Sequence, residues 1–199
     1  VLNSAFPTEE ELSDGWSWKS IGDLGQVSTG STPKRTVRRY WEGGSVPWIT
    51  SGALNSPFVD APSGFITQDA LRETNCKVCP KHTILVALYG EGRTRGMCSE
   101  LLIDAATNQA VAAILLPGDP LLRSYVKWYM RKKYDDIRML SIGGVQPNLN
   151  LSAIRDTAIP VPPAKTQRAI VNSIERQLSA MDQLEATLDA QLVQAGRLR

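Results

Sequence analysis

The sequence predicts an α+β fold in two parts: a globular domain with a mixed, twisted β-sheet and short helices, followed by one long α-helix. Residues 15–163 are rich in glycine, proline, tryptophan and short apolar runs, which is typical of short strands joined by turns. Residues 164–199 contain no proline and a single glycine, and their apolar side chains recur every three or four positions. We place the boundary at Pro160-Val-Pro-Pro163, because its three prolines exclude a helix or a central strand. The predicted units are therefore residues 1–163 and 164–199.

Short apolar runs bounded by turn residues predict the strands of the first unit. They are Val46–Thr50, Thr83–Tyr89, Met97–Ile103 and Ala110–Leu116. Thr67–Asn75 predicts a short helix in which Thr67 is the N-cap, because a threonine hydroxyl can accept a bond from the free amides of the first turn.

A second helix is predicted over Leu121–Tyr134, where apolar residues recur at helical spacing. Leu122, Tyr125, Val126 and Tyr129 would face the core, and Arg123, Lys127, Arg131 and Lys132 would face outward. A predicted basic face consists of Lys127, Arg131, Lys132 and Lys133. That face either contacts a nucleic-acid backbone or is ordinary solubilising charge.

The second unit carries an apolar stripe along a helix that would span roughly 50 Å at 1.5 Å per residue. The stripe consists of Ile170, Ile174, Leu178, Met181, Leu184, Leu188, Leu192 and Ala195. A long, narrow stripe is typical of a helix that packs against another long helix, within one subunit or across a dimer. The alternative is a terminal helix that folds back on the domain.

Composition is that of an ordinary globular protein of 199 residues, 42% hydrophobic and 21% charged. No apolar run approaches the ~18 residues of a membrane span. The first residues do not form a signal peptide, so we expect a cytoplasmic protein. The chain begins without methionine, and we expect a fragment or a processed form.

Cysteine and histidine are too few to predict a metal or catalytic centre. The three cysteines fit a reducing compartment better than a disulfide framework. Cys76-Lys-Val-Cys79 is a single pair, and a zinc site would need Cys98 and the only histidine, His82, as well. We therefore expect reduced thiols in or near a core, and no bound metal.

Signatures of several enzyme classes are absent from the sequence. There is no nucleotide-binding phosphate loop, no serine nucleophile elbow and no adenine-methyltransferase Asn/Asp-Pro-Pro-aromatic motif. Residues 90–96 follow a predicted strand with the spacing GxGxxxG, but a second strand rather than a helix is predicted to follow, which disfavours a dinucleotide site. We predict a protein that is not an enzyme.

Charge is concentrated where a polyanion could bind. Net charge is only +2, yet residues 15–163 contain 17 lysines and arginines against 12 aspartates and glutamates, an excess of five positive charges. Four of these cations, Lys34, Arg35, Arg38 and Arg39, lie within six positions. Tyr40, which follows them with Trp41, either supports the loop or contacts sugar and base. Such a segment suits DNA phosphates, and arginine can also bind guanine with two hydrogen bonds. The alternative is a solvated basic loop.

Two further segments contain hydrogen-bonding side chains beside glycines. Gly90–Gly96 supplies Arg93, Thr94 and Arg95 in a turn whose backbone could approach a ligand closely. Residues 143–150 supply Gln146 and Asn148, and such amides can pair with adenine. Either segment could instead be a structural turn. For residues 107–109 we favour structural hydrogen bonding.

An ordered series of short motifs runs along nearly the whole chain. The motifs are Asp14–Trp16, Ile21–Leu24, Ser28–Pro33, Tyr40-Trp41, Gly43-Gly44, Val46–Ile49, Tyr89–Gly96, Thr107–Ala110, Gly143–Asn150, Ile159–Pro163 and Gln167–Val171. In order and spacing the series resembles the specificity subunit of type I restriction-modification systems. That family's full subunit is similar to two such halves in tandem, whereas this chain has one.

The resemblance implies a non-catalytic reader of double-stranded DNA. Residues 1–163 would be a target-recognition domain that reads one half-site. The long helix would pack in an antiparallel coiled coil with a second half, or with a homodimer partner, and dock methyltransferase and restriction subunits. S-adenosylmethionine, ATP and Mg²⁺ would belong to those partners, and this chain would bind no cofactor. Two other hypotheses are a structural protein-interaction module and a stand-alone methyltransferase, of which only the latter would bind S-adenosylmethionine by itself.

Overall fold

The computed structural model describes residues 14–90, 92–139 and 149–197 and has an α+β architecture. The strands are β1 (Ser17–Ser20), β2 (Gln26–Thr29), β3 (Val46–Ile49), β4 (Phe58–Val59), β5 (Gly64–Ile66), β6 (Val78–Cys79), β7 (Ile84–Ala87), β8 (Cys98–Leu101), β9 (Ala105–Thr107), β10 (Val111–Leu115) and β11 (Ala158–Val161). The α-helices are α1 (Ile21–Leu24), α2 (Gln68–Glu73), α3 (Pro120–Lys132), α4 (Tyr134–Met139), α5 (Leu151–Arg155) and α6 (Ala164–Arg197). Short 3₁₀ turns span Arg38–Tyr40 and Ser51–Ala53.

The predicted strands and helices are confirmed, with small differences at their ends. β3, β7, β8 and β10 lie inside the four predicted strand segments. Thr67 caps α2, because its hydroxyl accepts a hydrogen bond from the Ala70 amide. The prolines near 160 do not prevent a strand: β11 contains Pro160, which is tolerated because β1 and β11 form a two-stranded sheet with no central strand.

The core of the domain is a five-stranded mixed sheet in the order β2-β10-β7-β8-β4. Alternate residues along β7 point to opposite faces, so Ile84 and Val86 pack on one side and Leu85 and Ala87 on the other. The first face is covered by helices. The second packs against a four-stranded sheet, β5-β3-β9-β6, through residues such as Ile49.

The beginning of α6 belongs to the core of the first unit. Val171 and Ile174 are buried in the same cluster as Tyr125 of α3, and Ile170 and Leu178 pack against that cluster. The position of a domain boundary at residue 163 stays a prediction. In α6, therefore, the first three members of the apolar stripe contact the domain, including α3, rather than a second long helix.

Farther along α6 the stripe is exposed in the single chain. Met181, Leu184, Leu188 and Leu192 are between 50% and 70% exposed, so they have no packing partner within the described residues. The predicted coiled coil remains a prediction. Among those residues no helix combines the length and apolarity needed to cross a bilayer.

The predicted outward face of α3 is wrong for three of its cations. Lys127 is only 1% exposed, and the Arg123 side chain is only 16% exposed. Every residue from Tyr125 to Met130 is buried, because α3 contacts both β8 and α6. Arg131 is also half-buried, and its guanidinium donates to the Cys98 carbonyl at 2.5 Å.

Candidate nucleic-acid interface

The predicted DNA-binding segments leave the same edge of the five-stranded sheet. β10 is antiparallel to both of its neighbours, β2 and β7, so the carboxyl ends of β2 and β7 lie side by side. Thr29 pairs with Ala112, and Ala112 pairs with Val86, which places the two strand ends roughly 10 Å apart at about 4.8 Å per strand. Residues 31–41, which we call the basic loop, follow β2. Residues 90–96, the glycine loop, follow β7.

The third segment also reaches this edge. Gln146 and Asn148 lie outside the described residues, but the chain continues at Leu149, whose amide donates to the Leu88 carbonyl at 3.2 Å. Leu88 in turn donates to the Ala110 carbonyl at 2.8 Å. All three predicted segments therefore connect to one end of the sheet.

The basic loop is fixed where it begins. Gly30 lies so close to β9 that an added Cβ would be 2.0 Å from the Thr107 carbonyl oxygen, so only glycine fits. The next amide, of Ser31, donates to that same carbonyl at 2.9 Å. Thr32 donates its hydroxyl to the side-chain oxygen of Gln109. Residues 107–109 hold the loop through structural hydrogen bonds, as predicted.

Two tryptophans, Trp41 in the basic loop and Trp48 in β3, support the backbone of the loop. Trp48 is buried and donates its indole N–H to the Ser31 carbonyl at 3.3 Å. Trp41 meets Trp48 edge to face, with ring centroids 5.2 Å apart. The Arg35 guanidinium carbon lies 3.7 Å from the Trp41 ring centroid. Arg35 and Lys34 are both exposed.

Arg39 and Tyr40 attach the loop to α2. Glu73 accepts hydrogen bonds from Arg39 at 2.5 Å and from the Tyr40 hydroxyl at 2.9 Å. Tyr40 is only 9% exposed, so its ring supports the loop and is not presented as a ligand contact. Arg38 is exposed beside Glu42, and its Nε lies 3.7 Å from the carboxylate.

The glycine loop is held by α4. The Arg138 guanidinium donates to the carbonyl oxygens of Gly92 at 2.8 Å and Arg95 at 3.1 Å. The Tyr134 hydroxyl donates to the Arg93 carbonyl at 2.6 Å. Because these bonds use backbone oxygens, the exposed Arg93 side chain is left facing outward. Thr94 and Arg95 are half-buried.

A buried charge cluster on β8 was not predicted from the sequence. Glu100 is 5% exposed and accepts from Lys127 at 2.9 Å, while Nδ1 of His82 lies 2.8 Å away and Nε of Arg123 3.4 Å away. Burial favours the neutral acid, but the Lys127 hydrogen bond and charge, followed by His82 and Arg123, outweigh it. The pKa of Glu100 is therefore lowered.

Cysteine positions match the expected reduced thiols. Cys76 and Cys98 are buried, Cys79 is half-buried, and all three are free. Burial raises the pKa of Cys98 to about 12, which makes this thiol unreactive. Among the described residues, no three histidine, cysteine, aspartate or glutamate side chains cluster as a metal site.

Residues 13–194 match the family model of the type I restriction modification DNA specificity domain. The chain belongs to this family. It is 26% identical over 162 residues to the EcoR124I/EcoR124II specificity subunit of Escherichia coli. It is 31% identical over 160 residues to the MjaIX specificity subunit of Methanocaldococcus jannaschii. These alignments include 80% and 78% of this chain but only 40% and 36% of the relatives.

Solved structures show the same fold in longer chains. A chain from a type I R-M system superposes on 96% of this chain with a TM-score of 0.72, at 22% identity. The HsdS subunit from Thermoanaerobacter tengcongensis covers 92% with a TM-score of 0.68, at 21% identity. This specificity domain spans 46% and 43% of those chains, which is less than half of their length.

Proposed function

We propose that this chain reads one half-site of double-stranded DNA for a type I restriction-modification complex and has no catalytic centre of its own. The observation that carries the proposal is the convergence of the basic loop, the glycine loop and the chain at Leu149 on one sheet edge. Two loops and the chain at Leu149, together at one edge, give a surface that could follow a groove. The match of residues 13–194 to a DNA specificity domain supports the same conclusion.

Exposed cations supply the attraction to phosphate. Lys34, Arg38 and Arg93 are exposed on the two loops, and neither Lys34 nor Arg93 has a carboxylate partner among the described residues. A solvated cation releases a condensed counterion from DNA when it contacts a phosphate. This release contributes affinity for DNA of any base sequence. Base recognition then requires side chains with fixed geometry within the same surface.

The far part of α6 is the proposed assembly surface. Its exposed leucines and methionine form a stripe about 17 Å long, estimated from the helical rise between Met181 and Leu192. Burying such a stripe against a second long helix would stabilise assembly by roughly 1.5–3 kcal/mol per leucine. The partner is the second half of the subunit or another copy of this chain. Methyltransferase and restriction subunits are the further proposed partners.

The proposal assigns the chemistry to those partners. S-adenosylmethionine would bind the methyltransferase, whereas ATP and Mg²⁺ would act with the restriction subunit. This specificity domain would contribute hydrogen-bond donors, positive charge and a fixed distance between two readers. We accordingly propose that no cofactor binds this chain.

The decisive experiment is to co-express the natural protein, either this chain alone or a longer subunit that includes it, with its methyltransferase and to sequence the methylated DNA sites. We expect one defined motif, and we expect the double variant Lys34→Ala/Arg93→Ala to lose most methylation. The matched control is Lys165→Ala, an exposed cation at the start of α6. Methylation without a defined motif would overturn the proposal. A symmetric motif would identify a homodimer, and an asymmetric motif two different halves.

A further inference from the structure

The four cations of the basic loop have different environments. Arg39 is bound to Glu73, and Arg38 lies beside Glu42. Lys34 has no carboxylate partner within the described residues. Arg35 also lacks one, but it is held in a different way, because its guanidinium lies over an aromatic ring.

The ring under Arg35 is itself fixed in place. Trp41 donates its indole N–H to the Lys34 carbonyl at 3.4 Å, and it is braced by the buried Trp48. Arg35 also lies 5.2 Å from the Trp48 ring centroid. A guanidinium carbon 3.7 Å from the Trp41 centroid is at the distance of face-to-face stacking.

Stacking leaves the donors of an arginine available. All five N–H groups lie in the guanidinium plane, so a ring above or below that plane blocks none of them. It does restrict the rotation of a long, flexible side chain, whose ordering otherwise opposes binding. Arg35 therefore presents the N–H donors of its guanidinium in a fixed orientation on an exposed loop.

We propose that Arg35 reads a guanine within the half-site by donating two hydrogen bonds to its O6 and N7. This inference rests on the proposed DNA-reading function. A guanidinium held in one orientation attracts phosphates little better than a mobile lysine does. Base recognition, in contrast, depends on the direction in which the hydrogen-bond donors point. In the major groove, guanine presents two adjacent acceptors that match a fork. Lys34 and Arg38, on either side in the chain, supply charge for the flanking phosphates.

The test uses the complete subunit assembled with its methyltransferase and a panel of duplexes in which each base pair of the motif is substituted in turn. For Arg35→Lys, which keeps the charge and loses the fork, we expect discrimination at one G·C pair to fall by roughly tenfold or more. Discrimination at the other positions and the salt dependence of binding should stay unchanged.

Arg38→Lys is the matched control, because the same substitution at an exposed neighbour should alter affinity for all duplexes alike. If Arg35→Lys also weakens every duplex equally, Arg35 contacts phosphate and the inference is wrong. Unchanged discrimination at all positions would equally overturn it. Both results differ from failure of the proposed function, in which the unmodified complex would discriminate among no duplexes.

Discussion

The cations around Glu100 and those of the basic loop show two opposite uses of positive charge within one domain. Lys127 is buried, and its ammonium is 2.9 Å from a buried carboxylate. Lys34 and Arg35 are exposed and have no carboxylate partner among the described residues. Each member of a buried pair depends on the other, because either charge alone would be costly in the core. Exposed cations without partners add little to stability and are available to a ligand.

The largest loss of folding stability is expected when Lys127 is replaced. Lys127→Ala leaves Glu100 buried without the buried ammonium that binds it, so we expect the free energy of unfolding to fall by about 3–5 kcal/mol. Urea denaturation of the variant and of Lys165→Ala, an exposed control, measures this difference. We expect the control to change stability by less than about 0.5 kcal/mol. Equal stability of Lys127→Ala and the unmodified protein would show that the buried pair is not structural.

A smaller, pH-dependent change in the free energy of unfolding is expected for Glu100→Gln. Because its pKa is lowered in the folded protein, its ionised form stabilises the fold above the unfolded-state pKa, about 4.3. That contribution is lost as pH falls below this value through the lower pKa of the folded state. The stability difference between the unmodified protein and Glu100→Gln should therefore narrow from pH 6 to pH 3. A difference that stays constant or widens in denaturation curves would contradict this assignment.

Much of the local structure was predictable because its causes are local. The cap at Thr67 and the apolar run of β7 depend on residues within one turn or one strand. The burial of Lys127 was not predictable, since its partner Glu100 is 27 residues away in sequence. Helical spacing alone placed Lys127 on the outer face. Only the contacts of α3 with both β8 and α6 explain why that face is covered.

The candidate site was predictable in composition but not in arrangement. Clustered cations identified the basic loop, but no local pattern distinguishes Arg39, which is bound to Glu73, from Arg35, which lies over the Trp41 ring. Tyr40 was predicted either to contact DNA or to support the loop, and its hydroxyl binds Glu73 of α2. Convergence of the loops at one edge follows from the order β2-β10-β7, which depends on pairing between distant segments. No local pattern encodes that order.

Salt dependence of DNA affinity tests most directly whether the exposed loop cations contact phosphate. The measurement is the slope of log affinity against log salt for the assembled methyltransferase complex on its motif, with and without Lys34→Ala/Arg93→Ala. We predict a steep negative slope for the unmodified complex, reduced in magnitude by about two in the double variant. Lys165→Ala should leave the slope unchanged. An identical slope in the double variant would show that this surface does not contact the DNA backbone.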